Sequence, residues 1–116
     1  MSTISYAKLT GEISANLARL RKGQPEMMRG FGALSQAAMA AGALDAKTKE
    51  LLALGIGVAM RCDGCIGFHT KALAQLGATQ QEVEEVLGVA VYMGGGPSLM
   101  YAANAMAAFG EFSEAA

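Results

Sequence analysis

Helix-forming residues dominate the stretches between the glycine- and proline-containing breaks of this chain, and this feature constrains the fold most. Ala, Leu, Met, Glu, Gln and Lys are abundant, whereas the Val, Ile and Thr alternation of a half-buried strand is sparse. A chain of 116 residues is large enough for one hydrophobic core and too short for two. The sequence therefore predicts an all-α, single-domain bundle of about six helices over residues 1–116.

Capping and breaking residues divide the chain into these helices. Thr79 followed by Glu82 forms a capping box, and Asp45 is a favourable N-cap. The breaks predict helices over about 5–22, 25–41, 45–60, 65–76, 79–93 and 97–109. The residues from 111 to 116 are expected to fray.

The third of these helices is predicted to be the buried central one, because it is apolar nearly all round in its second half. Gly55 and Gly57 weaken its intrinsic helix propensity, but they permit a neighbouring backbone to come close. We therefore expect another helix to pack against this segment.

The composition narrows the possible environments and partners. A hydrophobic content of 53% and a mean hydropathy of +0.31 are high for a monomer of this size, so some of the surface is expected to pack against other copies. The net charge of -1 gives no electrostatic footprint for nucleic acid. The first residues lack the basic start and apolar run of a secretory signal, and no stretch is long enough to span a bilayer. We expect a cytoplasmic protein that binds neither nucleic acid nor membranes.

The two cysteines and the one histidine of the chain lie within eight consecutive residues, in Cys62-Asp63-Gly64-Cys65 and the nearby His69. Two thiols separated by two residues can close into a disulfide, and an imidazole can accept the proton of a thiol. If Cys65 lies in the first turn of the fourth helix, the helix dipole favours its thiolate over that of Cys62. His69 then projects from the same face, one turn further on. The motif predicts dithiol redox chemistry.

Other uses of this motif fit less well. A structural zinc site needs four ligands, and Cys62, Cys65 and His69 supply three, so no metal is expected. Covalent haem attachment needs a histidine directly after the second cysteine, where this chain has Ile66. No βαβ pattern surrounds the motif, which disfavours a thioredoxin-like fold. No cofactor is expected.

Three segments of the chain resemble the alkyl hydroperoxidase D core of the carboxymuconolactone decarboxylase family. They are KELLALG at 49–55, CDGCIGFH at 62–69 and LGAT at 76–79, the last followed by Glu82 and Val83. The spacing E-x11-C-x2-C-x3-H that begins at Glu50 is the most specific part. The resemblance covers about residues 44–108.

This resemblance implies an all-α fold, assembly into trimers or hexamers, and reduction of organic hydroperoxides by a lipoyl- or thioredoxin-type dithiol. It implies that Cys65 is the peroxidatic cysteine and Cys62 the resolving cysteine, with His69 and Glu50 as a proton relay. From its pattern alone, Glu50 would be read as a solvent-facing or dipole-stabilising residue. The best-known peroxidase members carry a second histidine where this chain has Gly64.

The sequence thus predicts a thiol-dependent peroxidase with Cys65, Cys62, His69 and Glu50 as catalytic residues. Two alternatives stay open at this point. One is a decarboxylase acting on small carboxylated lactones, which in this family does not depend on a cysteine pair. The other is a non-enzymatic, oligomeric redox sensor whose disulfide changes its assembly.

Overall fold

A computed structural model describes residues 4–115, with the side chain of Ala115 excepted. Within this range the chain forms six α-helices and no strand, which confirms the predicted fold class. The helices, in chain order, are α1 (Tyr6–Gly23), α2 (Pro25–Met39), α3 (Ala46–Ala59), α4 (Asp63–Gln75), α5 (Gln80–Gly94) and α6 (Gly96–Ala115). No helix among the described residues is both long and apolar enough to cross a membrane.

Four helices, α3 to α6, pack against one another and contain most of the core. Leu54 and Val58 of α3, Ile66 and Leu73 of α4, and Val83 of α5 are fully buried. Helix α3 contacts α2, α4, α5 and α6 and is therefore central, as predicted. The prediction that it is buried is wrong for one face, because Leu52 and Ile56 are 51% and 58% exposed and line a groove that no other described helix covers.

The first two helices lie outside this group of four. Helix α1 packs on α4 and α6 and buries Tyr6 and Thr10, whereas α2 touches α1 and α3 and buries no residue. Met27, Phe31 and Leu34 of α2 are consequently exposed apolar side chains.

Two predicted helix ends differ from the structure for a visible reason. Helix α2 ends at Met39 instead of residue 41, because the Lys49 ammonium donates to the carbonyl oxygens of Ala38 and Ala40 and satisfies the end of the helix. Helix α4 begins two residues earlier than predicted, at Asp63, because Cys62 serves as its N-cap.

The predicted helix end near residue 109 and the expected fraying from residue 111 are wrong over the described residues, since α6 continues to Ala115. The reason is Glu111, whose carboxylate accepts hydrogen bonds from the backbone N–H groups of Tyr6 and Ala7 and from the Ser5 hydroxyl. These bonds fasten the end of α6 to the start of α1. The expectations for Met1–Thr3 and Ala116 fall outside the described residues.

Candidate active site

The turn between α3 and α4 directs the chain back across α3. The Arg61 N–H donates to the Val58 carbonyl at 3.1 Å and the Cys62 N–H to the Gly57 carbonyl at 2.9 Å. This is the Schellman pattern of a helix carboxyl terminus, which requires a left-handed residue. Arg61 supplies it with φ 58°, a conformation in which glycine is the usual residue. The turn brings α4 alongside α3, as a contact between Glu50 and His69 requires.

Cys62 and Cys65 form a disulfide at the start of α4, with their Cα atoms 5.2 Å apart. Cys62 is the N-cap, and its Sγ accepts a hydrogen bond from the Cys65 N–H at 3.1 Å. Cys65 lies in the first turn of α4, as predicted. Both sulfur atoms therefore belong to a helix amino terminus, where unpaired N–H groups and the helix dipole favour negative charge.

Gly57 of α3 permits the close packing of the two helices at the dithiol. A Cβ atom placed on Gly57 would lie 2.9 Å from the Cys65 Cβ and 3.9 Å from the Ile66 backbone nitrogen. Cβ atoms in folded proteins essentially never approach another atom this closely. The predicted close approach at this glycine is therefore present, and its neighbour is the cysteine itself.

The structure brings His69 of α4 into contact with Glu50 of α3. The His69 Nδ1–H donates to the Glu50 Oε2 at 2.6 Å, and the two side chains are 29% and 18% exposed. A carboxylate that accepts from Nδ1 leaves Nε2 of a neutral imidazole as a proton acceptor. His69 lies four residues after Cys65, on the same face of α4. The four residues singled out from the sequence thus lie along the junction of α3 and α4.

The opposite side of α4 is covered by α1. A Cβ atom on Gly64 would lie 3.1 Å from the Ile13 Cδ1, and one on Gly67 would lie 2.6 Å from the Thr10 Cγ2. Gly64 of α4 therefore packs against α1. His69 is the one histidine of the chain, and its carboxylate partner is Glu50.

A tyrosine that the sequence analysis did not single out also reaches the motif. The Tyr6 hydroxyl donates to the Asp63 Oδ1 at 2.8 Å, and the Tyr6 side chain is fully buried. Burial first, and then the hydrogen bond and charge of Asp63, raise the pKa of the Tyr6 phenol well above its usual range. Tyr6 is therefore a permanent donor. Since 57 residues separate the partners, local sequence patterns hold no signal for this contact.

Two further features define what surrounds the site. Among residues 4–115 no group of three or more His, Cys, Asp or Glu side chains is arranged to hold a metal ion. An apolar groove of about 390 Å³ runs between α3 and α5, away from α4, and is lined by residues that include Leu52, Ile56 and Met93. Among the aromatic residues of α4 to α6, Tyr92 is 85% exposed, whereas Phe68 and Tyr101 are half-buried.

Comparisons with known proteins place these features in a family context. Residues 25–108 match the sequence model of the carboxymuconolactone decarboxylase family, so α1 lies outside the matched segment. An uncharacterised protein of Cupriavidus necator is 39% identical over 109 residues, which cover 94% of this chain and 96% of that protein.

Two solved structures are similar over nearly the whole chain. A carboxymuconolactone decarboxylase family protein from Legionella pneumophila has a TM-score of 0.91 and 57% identity, covering 93% of this chain and 96% of that one. A family protein from Thermotoga maritima, for which a role in an antioxidative response has been suggested, has a TM-score of 0.82 and 30% identity, covering 90% of each chain.

Proposed function

Because this chain belongs to the carboxymuconolactone decarboxylase family, we propose that it is the thiol-dependent peroxidase type of member, which reduces organic hydroperoxides with its cysteine pair. The observation that carries this proposal is the disulfide between Cys62 and Cys65 at a helix amino terminus, one turn from a histidine that is paired with Glu50. The suggested antioxidative role of the Thermotoga maritima relative agrees with this function.

The first half of the cycle oxidises Cys65. His69 takes the thiol proton through Nε2, and the Cys65 thiolate attacks the terminal oxygen of the hydroperoxide. The O–O bond breaks, Cys65 becomes a sulfenic acid, and the alkoxide leaves as an alcohol after it receives the proton from His69. Glu50 holds the imidazole by Nδ1 and stabilises its charged form while it carries the proton.

The second half restores the dithiol. The Cys62 thiol attacks the sulfur of the Cys65 sulfenic acid, the S–O bond breaks, and the hydroxyl group leaves as water with the Cys62 proton as the disulfide forms. An external dithiol of the lipoyl or thioredoxin type then reduces this disulfide by exchange and becomes oxidised. The net reaction converts one hydroperoxide and one dithiol into one alcohol, one water and one disulfide.

The proposed enzyme works as an oligomer of this chain, a trimer or hexamer, in the cytoplasm. Support for assembly comes from the apolar groove between α3 and α5 and from α2, which buries no residue in the single chain. A cytoplasmic location suits a cysteine pair that must be reduced in every cycle.

Serine variants of the two cysteines test this assignment. Consumption of cumene hydroperoxide is followed with dithiothreitol as the reductant, and sulfenate is trapped with dimedone and weighed by intact mass. We expect Cys65→Ser to abolish both turnover and trapping, and Cys62→Ser to leave one trappable oxidation per subunit. The exposed Ser113→Ala variant is the control and should retain the wild-type rate.

Continued turnover in Cys65→Ser would remove Cys65 from the reaction. Turnover of a carboxylated lactone that survives alkylation of both thiols would favour the decarboxylase alternative, which needs no cysteine pair. A change of assembly between the reduced and oxidised protein on size exclusion, without peroxide turnover, would favour the redox sensor.

A further inference from the structure

Tyr6 contacts the redox motif from outside the segment that matches the family. It is the first residue of α1, and the family match begins at residue 25. Its hydroxyl donates to the Asp63 carboxylate, and a Cβ placed on Gly67 would lie 3.4 Å from the Tyr6 Cδ1. The phenol ring therefore packs along the first turns of α4 and ends at the residue next to Cys62.

The backbone of Tyr6 is held in place by α6. Its N–H donates to Glu111 at 2.8 Å, and its carbonyl accepts from the Thr10 hydroxyl at 2.8 Å. With no exposed surface on the side chain, the phenol is fixed at both ends. It presents its hydroxyl to Asp63 in one geometry.

Asp63 lies between the two cysteines in the sequence, and a negative charge near the sulfur atoms opposes a thiolate on either of them. The amino-terminal N–H groups of α4 are also the natural partners of a carboxylate in the first turn. One of these groups, the Cys65 N–H, already donates a hydrogen bond to the Cys62 Sγ. A carboxylate free to turn toward the helix end would compete with sulfur for the same donors.

The hydrogen bond from Tyr6 holds the Asp63 carboxylate on the side of α4 that faces α1. Successive residues of a helix are rotated by about 100°, so Asp63 and Cys65 project to nearly opposite sides of α4. Cys65 faces Gly57 of α3, and Asp63 faces Tyr6 of α1.

We propose that Tyr6 is a positioning residue for the dithiol: its hydroxyl holds the Asp63 carboxylate on the α1 side and so reserves the amino terminus of α4 for the sulfur atoms. This role rests on the proposed dithiol function. It gives α1, which lies outside the family match, a part in setting the reactivity of the cysteines. Tyr6 acts through Asp63 and needs no contact with substrate.

Other charged and titratable groups on α4, on the turn before it and on the helices packed against it stay the same in the experiment. They include Glu50 of α3, His69 and the exposed Lys71 of α4, Tyr101 of α6, and the exposed Arg61 of the preceding turn. A double-mutant cycle between Tyr6 and Asp63 isolates their mutual effect from these contributions.

The experiment measures iodoacetamide alkylation of the reduced protein as a function of pH, with Cys62 and Cys65 followed separately by peptide mass mapping. We expect Tyr6→Phe to slow alkylation of the more reactive cysteine about threefold below its pKa, and Asp63→Asn to accelerate it by a similar factor. In the Asp63→Asn background, Tyr6→Phe should have no further effect. Tyr92→Phe, which removes the hydroxyl of an exposed tyrosine, is the matched control.

An unchanged profile in Tyr6→Phe, or the same change in both Asp63 backgrounds, would overturn this role. Should Tyr6→Phe fail to fold, Asp63→Asn still decides, because slower or unchanged alkylation in that variant contradicts the proposed effect of the carboxylate. Alkylation needs no peroxide, so a failure of the peroxidase assignment appears in the turnover assay and leaves this result interpretable.

Discussion

Gly57→Ala is expected to separate α3 from α4 at the dithiol. The new methyl group would lie 2.9 Å from the Cys65 Cβ, at least 0.5 Å inside an ordinary contact of 3.4–4 Å. The Cys65 Cβ is attached directly to the backbone and cannot rotate away, so the two helices must move apart. Because Cys65 and His69 both lie on α4, this movement would carry them away from Glu50 of α3 and weaken the contact between His69 and Glu50.

The size of the effect follows from two opposing contributions. Replacing glycine by alanine inside a helix stabilises it by about 0.5–1 kcal/mol. Overpacking a buried site costs about 1–3 kcal/mol. We therefore expect Gly57→Ala to lower the free energy of unfolding by up to roughly 2.5 kcal/mol and to slow the peroxide reaction.

Urea unfolding of the reduced protein measures this effect, with Gly11→Ala as the matched control. Gly11 is an exposed glycine inside α1, and an added Cβ there meets nothing within 4 Å. That variant should be more stable than the wild type by up to about 1 kcal/mol. If Gly57→Ala is stabilised as much as Gly11→Ala and reacts with peroxide at the wild-type rate, the close approach of α3 to Cys65 does not matter.

Three further changes test other contacts of the fold. Burial alone would raise the pKa of Glu111, but the hydrogen bonds from Tyr6, Ser5 and Ala7 lower it overall. Because solvent screens much of this interaction, Glu111→Gln should cost no more than about 1 kcal/mol at pH 7, and in urea titrations the difference should vanish as the pH falls through the lowered native pKa. Thr79→Ala should cost about 1 kcal/mol in thermal unfolding, because it removes the cap of α5, and an undiminished melting temperature would contradict that role. Gly64→His should cost up to about 1 kcal/mol and should not raise the peroxide rate, because its Cβ would lie 3.1 Å from the Ile13 Cδ1 and Ile13 must move aside. A faster reaction with unchanged stability would show that α1 leaves room for a second relay histidine.

The sequence predicts those features of the fold that depend on neighbours along the chain. The capping box at Thr79 is present because its two hydrogen bonds join residues three positions apart. Cys65 lies in the first turn of α4, as predicted, because the break in the helical pattern directly before it is also a local feature of the sequence. Cysteine is an uncommon N-cap, however, so the start of α4 at Asp63 was missed by two residues.

Contacts between residues far apart in the sequence are seen only in the structure. The contact between Glu50 and His69 was implied by the family resemblance, but it requires a turn in which Arg61 adopts a left-handed conformation that its residue type does not predict. The hydrogen bonds that the Tyr6 N–H donates to Glu111 and the Tyr6 hydroxyl donates to Asp63 join residues 105 and 57 positions apart. Helical periodicity does not relate such distant residues, so the sequence predicts neither the end of α6 nor the contact of α1 with Asp63.

The most direct test of the central claim is to mix the fully reduced protein with cumene hydroperoxide and follow its thiols by stopped flow and its intact mass. The proposed cycle predicts rapid loss of both thiols and of about two mass units, as one disulfide forms between Cys62 and Cys65. The loss should depend on Cys65 and should slow strongly when His69 is replaced. Thiols that stay reduced in excess peroxide would contradict the peroxidase assignment.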